Sequence, residues 1–178
     1  MFLADGFEEM EAIAPVDLLR RAGVAVQTVG INSLTVKGSH GVSLVCDMDA
    51  EALDLSDCQG VILPGGPGHA VLGQSPVVLK ALRVAADRGG LLAAICAAPS
   101  ILGQNGYLAG KTACCFPGFE GQLTGATAVT EPVVRDGSVI TSRGAGTAVP
   151  FALALVSYLL SPKKATEVAA QIQCASAP

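Results

Sequence analysis

Short apolar runs alternate along this chain with segments whose apolar positions recur every three or four residues. Gly60–Leu63 and Leu91–Ile95 are apolar at successive positions, as in strands covered on both faces. Met1–Ala4 has the same character but is short, as a strand with a few residues missing before it would be. Between these runs, Glu9–Ala22 carries Met10, Ile13, Ala14, Leu18 and Leu19 near helical spacing and stops at Gly23, with Pro15 inside. Pro76–Asp87 reads as a second helix, and Ala97–Leu102 as a buried one that tolerates Pro99 in its first turn. Val24–Val29 alternates as a strand does, and Leu34–Cys46 reads as a hairpin around Gly38–Gly41. The second half continues with candidate strands at Lys111–Cys115, Ala126–Val129 and Val139–Ser142. Helices over Gly146–Leu160 and Lys163–Gln173 follow. Strands separated by helices predict an α/β fold, one domain over residues 1–178, with a mainly parallel sheet covered on both sides.

Composition narrows this picture. Of 178 residues, 51% are hydrophobic and 15% charged, enough apolar surface for a core and too little charge for long disordered tails. The net charge of −4 speaks against a nucleic-acid grip, since Lys and Arg form only the doublets Arg20-Arg21 and Lys163-Lys164. No run reaches the roughly 20 apolar residues of a membrane span. The acidic start, with Asp5, Glu8, Glu9 and Glu11, is unlike an export signal, so a cytoplasmic location is expected. The six cysteines include no C-x-x-C pair and no zinc-like spacing with histidine. Free thiols, most of them small buried residues, are therefore expected.

One cysteine stands apart. In Leu91-Leu92-Ala93-Ala94-Ile95-Cys96-Ala97-Ala98-Pro99 an apolar strand ends and a helix begins, with Cys96 at the join. Ala94 and Ala98 are small, as a sharp nucleophile elbow requires. Helix N-termini favour negative charge, so this position is expected to lower the thiol pKa. For an arbitrary cysteine a structural role in an Ala-rich core is the better reading; position and flanks shift the balance toward function here.

Pro64-Gly65-Gly66-Pro67-Gly68 follows the strand Gly60–Leu63. Loops at the carboxyl ends of neighbouring parallel strands face one crevice, so Gly65 and Gly66 are expected to bring bare N–H groups beside Cys96. An ordinary strand-to-helix turn would also use these glycines. Nucleotide motifs are absent: Val71 stands where a dinucleotide fingerprint after Gly66-Pro67-Gly68 needs Gly or Ala, Val149 does the same after Gly144, and no G-K-[ST] occurs. Acidic residues at the start of the first helix complement its dipole by default. Glu11 lies one turn in, and is expected to point at Cys96 and share a proton with it.

Several ordered motifs resemble the ThiJ/PfpI superfamily, closest to its parkinsonism-associated protein deglycase branch and bacterial ThiJ-like relatives. They are Gly6-Phe7-Glu8-Glu9-Met10-Glu11, the stretch Pro15 to Gly23, Leu63-Pro64-Gly65-Gly66, Ala93 to Pro99, Thr141 to Thr147, and Glu167-Val168-Ala169-Ala170-Gln171. The resemblance covers nearly the whole chain. It implies a flavodoxin-like three-layer sandwich, akin to class I glutamine amidotransferases, and a homodimer with Met10 near the contact. It puts the nucleophile and oxidation-sensing cysteine at Cys96, its partner carboxylate at Glu11, and oxyanion-type backbone donors at Gly66 and Ala97. His69, directly after the glycine turn, is a candidate for a substrate pocket, against the ordinary reading of an exposed loop histidine; Arg21 and Ala145, within or beside matching motifs, are further candidates. Two departures matter. The peptidase-like branch places His after its cysteine, where this chain has Ala97, so protease activity is disfavoured. The deglycase branch has a further His before the Val139 strand; the corresponding region, taken as Gly125 to Thr127, holds none.

The resemblance thus implies an enzyme acting on small reactive aldehydes such as methylglyoxal, or on glycated proteins, by a Cys96 hemithioacetal, with no metal or organic cofactor. A redox-sensing stress chaperone, in which Cys96 is oxidised to a sulfinate, shares the same site. A thiamine-pathway binding role rests on the family's name alone.

Overall fold

The computed structural model describes residues 1–174. Its elements are β1 (Phe2–Leu3), α1 (Glu9–Ala22), β2 (Val29–Gly30), β3 (Thr35–Lys37), β4 (Ser43–Val45), β5 (Met48–Asp49), β6 (Gly60–Leu63), α2 (His69–Gln74), α3 (Pro76–Asp87), β7 (Leu91–Ile95) and α4 (Pro99–Gln104). There follow β8 (Thr112–Ala113), β9 (Thr127–Ala128), β10 (Val133–Asp136), β11 (Val139–Ser142), α5 (Ala148–Leu159) and α6 (Pro162–Gln171).

The sheet is laid out as β5-β2-β1 beside β6-β7-β11-β10, with β1 packed next to β6. Every pairing in it is parallel except β10 with β11. Alternation within each strand builds the three layers. Leu91, Ala93 and Ile95 face a core shared with Leu18, Leu19, Phe151 and Leu155 of α1 and α5. Leu92 and Ala94 face the opposite core, with Leu72, Val78, Leu82 and Ile101 of α2, α3 and α4. Both faces are dry, so these strands carry no polar stripe. This is the flavodoxin-like sandwich.

Some elements differ from the sequence pattern. Of the expected Val24–Val29 strand only Val29 is paired, joined by Gly30 beyond it. The hairpin forms, with strands at Thr35–Lys37 and Ser43–Val45. The helix after Cys96 begins two residues later than expected, with Pro99 in its first turn. Pro15 lies within α1, which continues past it. Strands β5 and β10 and helix α2 had no clear signature: β10 is a half-exposed edge, and α2 is six residues long. Parallel register sets Leu63 beside Ala94 and Ser142 beside Ile95, so three strands end at one level. The functional residues lie just past that level.

Candidate functional site

Cys96 follows β7 with a left-handed backbone, φ +66°, a conformation that costs energy for any residue with a side chain. Two neighbours hold it there. Its N–H donates to the Ser142 carbonyl at 3.0 Å, and its carbonyl accepts from the Phe116 N–H at 2.8 Å. The elbow turns the half-buried sulfur toward the ends of β6 and α1, where the N–H groups of Gly66 and Ala97 hydrogen-bond to it.

Glu11 comes to the same point from α1. It is 1% exposed, and its side chain forms a hydrogen bond with Cys96. Its Oε2 accepts the Gly65 N–H at 2.8 Å. Gly65 is therefore occupied in holding Glu11, not in presenting a second free donor beside the sulfur. The residue must be glycine: an added Cβ would sit 2.6 Å from the Cys96 Cβ and 2.8 Å from Glu11 Oε2. Gly66 needs its freedom for two reasons, a φ of +76° and the backbone of Gly6 and Glu8 packed where a side chain would be. Glu8 caps α1, accepting the Glu11 N–H at 2.9 Å, which fixes the turn that aims Glu11 inward.

Burial chiefly pushes the Glu11 carboxyl up, to about 7, against the Gly65 N–H and the Cys96 hydrogen bond; the Glu8 charge adds to the rise. The Cys96 thiol is also pushed up, to about 12, first by burial and then by the Glu11 charge, while the N–H groups of Gly66 and Ala97 oppose the rise. This corrects the expected lowering. The helix following Cys96 has only six residues, and its N-terminal field is outweighed by burial and a facing carboxylate. The pair can bear one negative charge near neutrality but resists a second, so one proton stays shared between sulfur and carboxyl.

Other expected residues are placed differently. His69 lies beside the pair: its Nδ1 is 2.8 Å from the Gly66 carbonyl, and its ring meets Phe119 edge-on at 5.4 Å. Ala145 starts the turn after β11, half-buried near Gly144. Arg21 is not with them. It sits at the far end of α1, ion-paired to Asp17 at 2.8 Å. Met10, 56% exposed, stands with Ile13 along a surface groove of about 680 Å³ between α1, the start of α5 and the end of α6. Gly125 packs against Ala109, away from the site. The loop that does reach the site is the one after β8, through Phe116, a residue that sequence reasoning missed.

Among the described residues, Glu8, Glu9 and His40 form a cluster with metal-ligand atoms within 4.8 Å of one another. Glu9 spends its oxygens on the hairpin turn instead: Oε1 accepts the His40 N–H at 2.7 Å, and Oε2 lies 3.0 Å from His40 Nδ1. The cluster ties α1 to the β3–β4 turn. No helix among the described residues is long and apolar enough to cross a membrane, and Cys46, Cys58, Cys96, Cys114 and Cys115 form no disulfide.

Comparison with known proteins agrees with this geometry. The profile described as the DJ-1/PfpI family matches residues 1–158. Protein dj-1beta of Drosophila melanogaster is 40% identical over 173 residues, covering 95% of this chain and 92% of the relative. Glutathione-independent glyoxalase DJR-1.2 of Caenorhabditis elegans is 35% identical over 159 residues, covering 88% and 85%. The solved structure of oxidized Toxoplasma gondii DJ-1 superposes with a TM-score of 0.94 at 31% identity, covering 98% and 97%.

Proposed function

This chain belongs to the DJ-1/PfpI family, and on that premise we propose that it is a cytoplasmic, cysteine-dependent glyoxalase or protein deglycase acting on 2-oxoaldehydes and early glycation adducts. One observation carries the reading: a half-buried thiol and a buried carboxyl share a hydrogen bond beneath two backbone N–H groups. The glyoxalase name of the Caenorhabditis relative supports it.

The sulfur of Cys96 adds to the aldehyde carbon of RCOCHO, and the carbonyl π electrons move to oxygen. The N–H groups of Gly66 and Ala97, which hydrogen-bond to the sulfur, receive the developing oxyanion. The shared proton neutralises it, giving the hemithioacetal RCO–CH(OH)–S. Glu11, now a carboxylate, takes the proton from the aldehyde-derived carbon and returns it to the neighbouring one, while the hydroxyl proton passes to the former ketone oxygen, forming a thioester RCH(OH)–CO–S. A carboxyl pushed up to about 7 suits both halves of that transfer at neutral pH. Water then cleaves the thioester to the 2-hydroxy acid and regenerates the thiol. The net change is addition of one water, with no external oxidant or reductant. Cys96→Ala is expected to reduce methylglyoxal turnover to the uncatalysed rate; wild-type-like turnover by that variant would overturn the mechanism.

A redox-sensing role is the second reading, favoured by the Glu11 side chain and the Gly66 and Ala97 N–H groups that meet the half-buried Cys96 sulfur. A Glu11 carboxylic acid donating to a Cys96 sulfinate would halt oxidation at two oxygens. After mild peroxide, peptide mass spectrometry should find that addition at Cys96 first; even oxidation of all six cysteines would count against it.

A further inference from the structure

The turn after β8 places aromatic rings where the proposed mechanism has no use for them. Phe116 is 47% exposed, a large apolar side chain left facing solvent. Its backbone N–H is fastened to the Cys96 carbonyl at 2.8 Å, so the ring starts from a point one residue's width from the nucleophile. The ring then lies over Gly144: a Cβ on that glycine would sit 3.3 Å from Phe116 Cδ2 and 3.9 Å from Glu11 Oε1. Phe116 is thereby brought beside the Cys96–Glu11 pair, on the Gly144 side.

The same turn reaches the opposite side. The Phe119 N–H donates to the Phe116 carbonyl at 3.1 Å. The Phe119 ring meets His69, which in turn is fixed to the Gly66 carbonyl. The turn therefore crosses from Gly144 to the oxyanion donor, with an aromatic ring at each end. An open aromatic face beside a carbonyl-addition site contacts the part of the substrate that does not react.

We propose that Phe116 is a specificity-determining residue that packs against the carbon substituent of the bound 2-oxoaldehyde and selects aryl or bulky apolar substituents over methyl. This rests on the carbonyl chemistry proposed above and names its substrate class. With phenylglyoxal, the Cys96 sulfur adds to the terminal aldehyde carbon, the ketone carbon takes up the transferred proton, and water releases mandelate. The phenyl group stays attached throughout and meets the Phe116 ring. Aromatic pairing and burial of this kind correspond to roughly a three- to tenfold preference.

The test compares kcat and KM for phenylglyoxal and methylglyoxal in the full chain, Phe116→Ala, Phe116→Tyr and a remote control, Val45→Ala. We expect a lower KM for phenylglyoxal in the wild type, roughly three- to tenfold. The preference should collapse in Phe116→Ala, return in Phe116→Tyr and persist in Val45→Ala. The change should fall on KM more than on kcat. An unaltered preference in Phe116→Ala would overturn the proposal. If the wild type turns over neither aldehyde, the function proposed above fails, and the selectivity is read without turnover, as protection of Cys96 from iodoacetamide at short times. Stronger protection by phenylglyoxal that is lost in Phe116→Ala would uphold the specificity role; equal protection in both proteins would refute it.

Discussion

Two glutamates separated by a single residue on α1 are both buried, Glu9 at 8% and Glu11 at 1% exposure, yet their acidities move in opposite directions. Glu11 rises to about 7 and Glu9 falls to about 2. Burial opposes the charged form at both positions. At Glu9 it is outweighed by the His40 side chain and by the N–H groups of His40 and Val42. At Glu11 one backbone donor and a thiol are too little to compensate. The number and kind of donors decide which carboxyl ties the fold together and which holds a proton ready for chemistry.

Removing the proton-holding member should have the larger effect. In Glu11→Gln the amide keeps the shape but cannot relay a proton. Turnover of a 2-oxoaldehyde should fall by about 10²- to 10⁴-fold with little change in KM. Retention of more than half the activity would mean that Glu11 and Glu9 do not differ in role.

A smaller effect sharpens the contrast through pH. The Glu11 carboxyl lies above its ordinary value of 4.5 in the fold, so its contribution to stability is full below about 4.5 and is lost as pH rises through about 7. The loss is on the order of 3 kcal/mol at most. Glu9 has the reverse sign: its contribution is present above about 4.5 and is lost as pH falls toward 2. Denaturant unfolding at several pH values should show Glu11→Gln flattening the decline between 4.5 and 7, and Glu9→Gln flattening the acid limb. Identical profiles for the two variants would erase the distinction.

Much of this arrangement was legible in the sequence. The runs Gly60–Leu63 and Leu91–Ile95 are apolar because two cores flank them, and their parallel pairing brings the glycine turn to Cys96. Glu11 was legible because one helical turn past the cap points inward. Contacts across long separations were not. Glu9 meets His40 from 31 residues away, so its clamp looked like dipole complementation. Phe116 lies in a loop without periodicity, and only the bond to the Cys96 carbonyl brings it to the site. The thiol shift was misjudged because local position suggests a helix field, whereas burial and the facing carboxylate depend on the packed fold. Arg21 was displaced by simple length: ten residues along α1 span about 15 Å.

The central claim is that Cys96 and Glu11 lose one shared proton near neutrality and behave as a unit. The rate of iodoacetamide alkylation at Cys96, followed by peptide mass from pH 5 to 10, addresses it directly. The wild type should inflect near 7, and Glu11→Gln should inflect above the ordinary thiol range of about 8.5, because burial then acts on a thiol with no acid to share its proton. A single inflection near 8.5 in both proteins would show an independent, ordinary cysteine and contradict the shared-proton site.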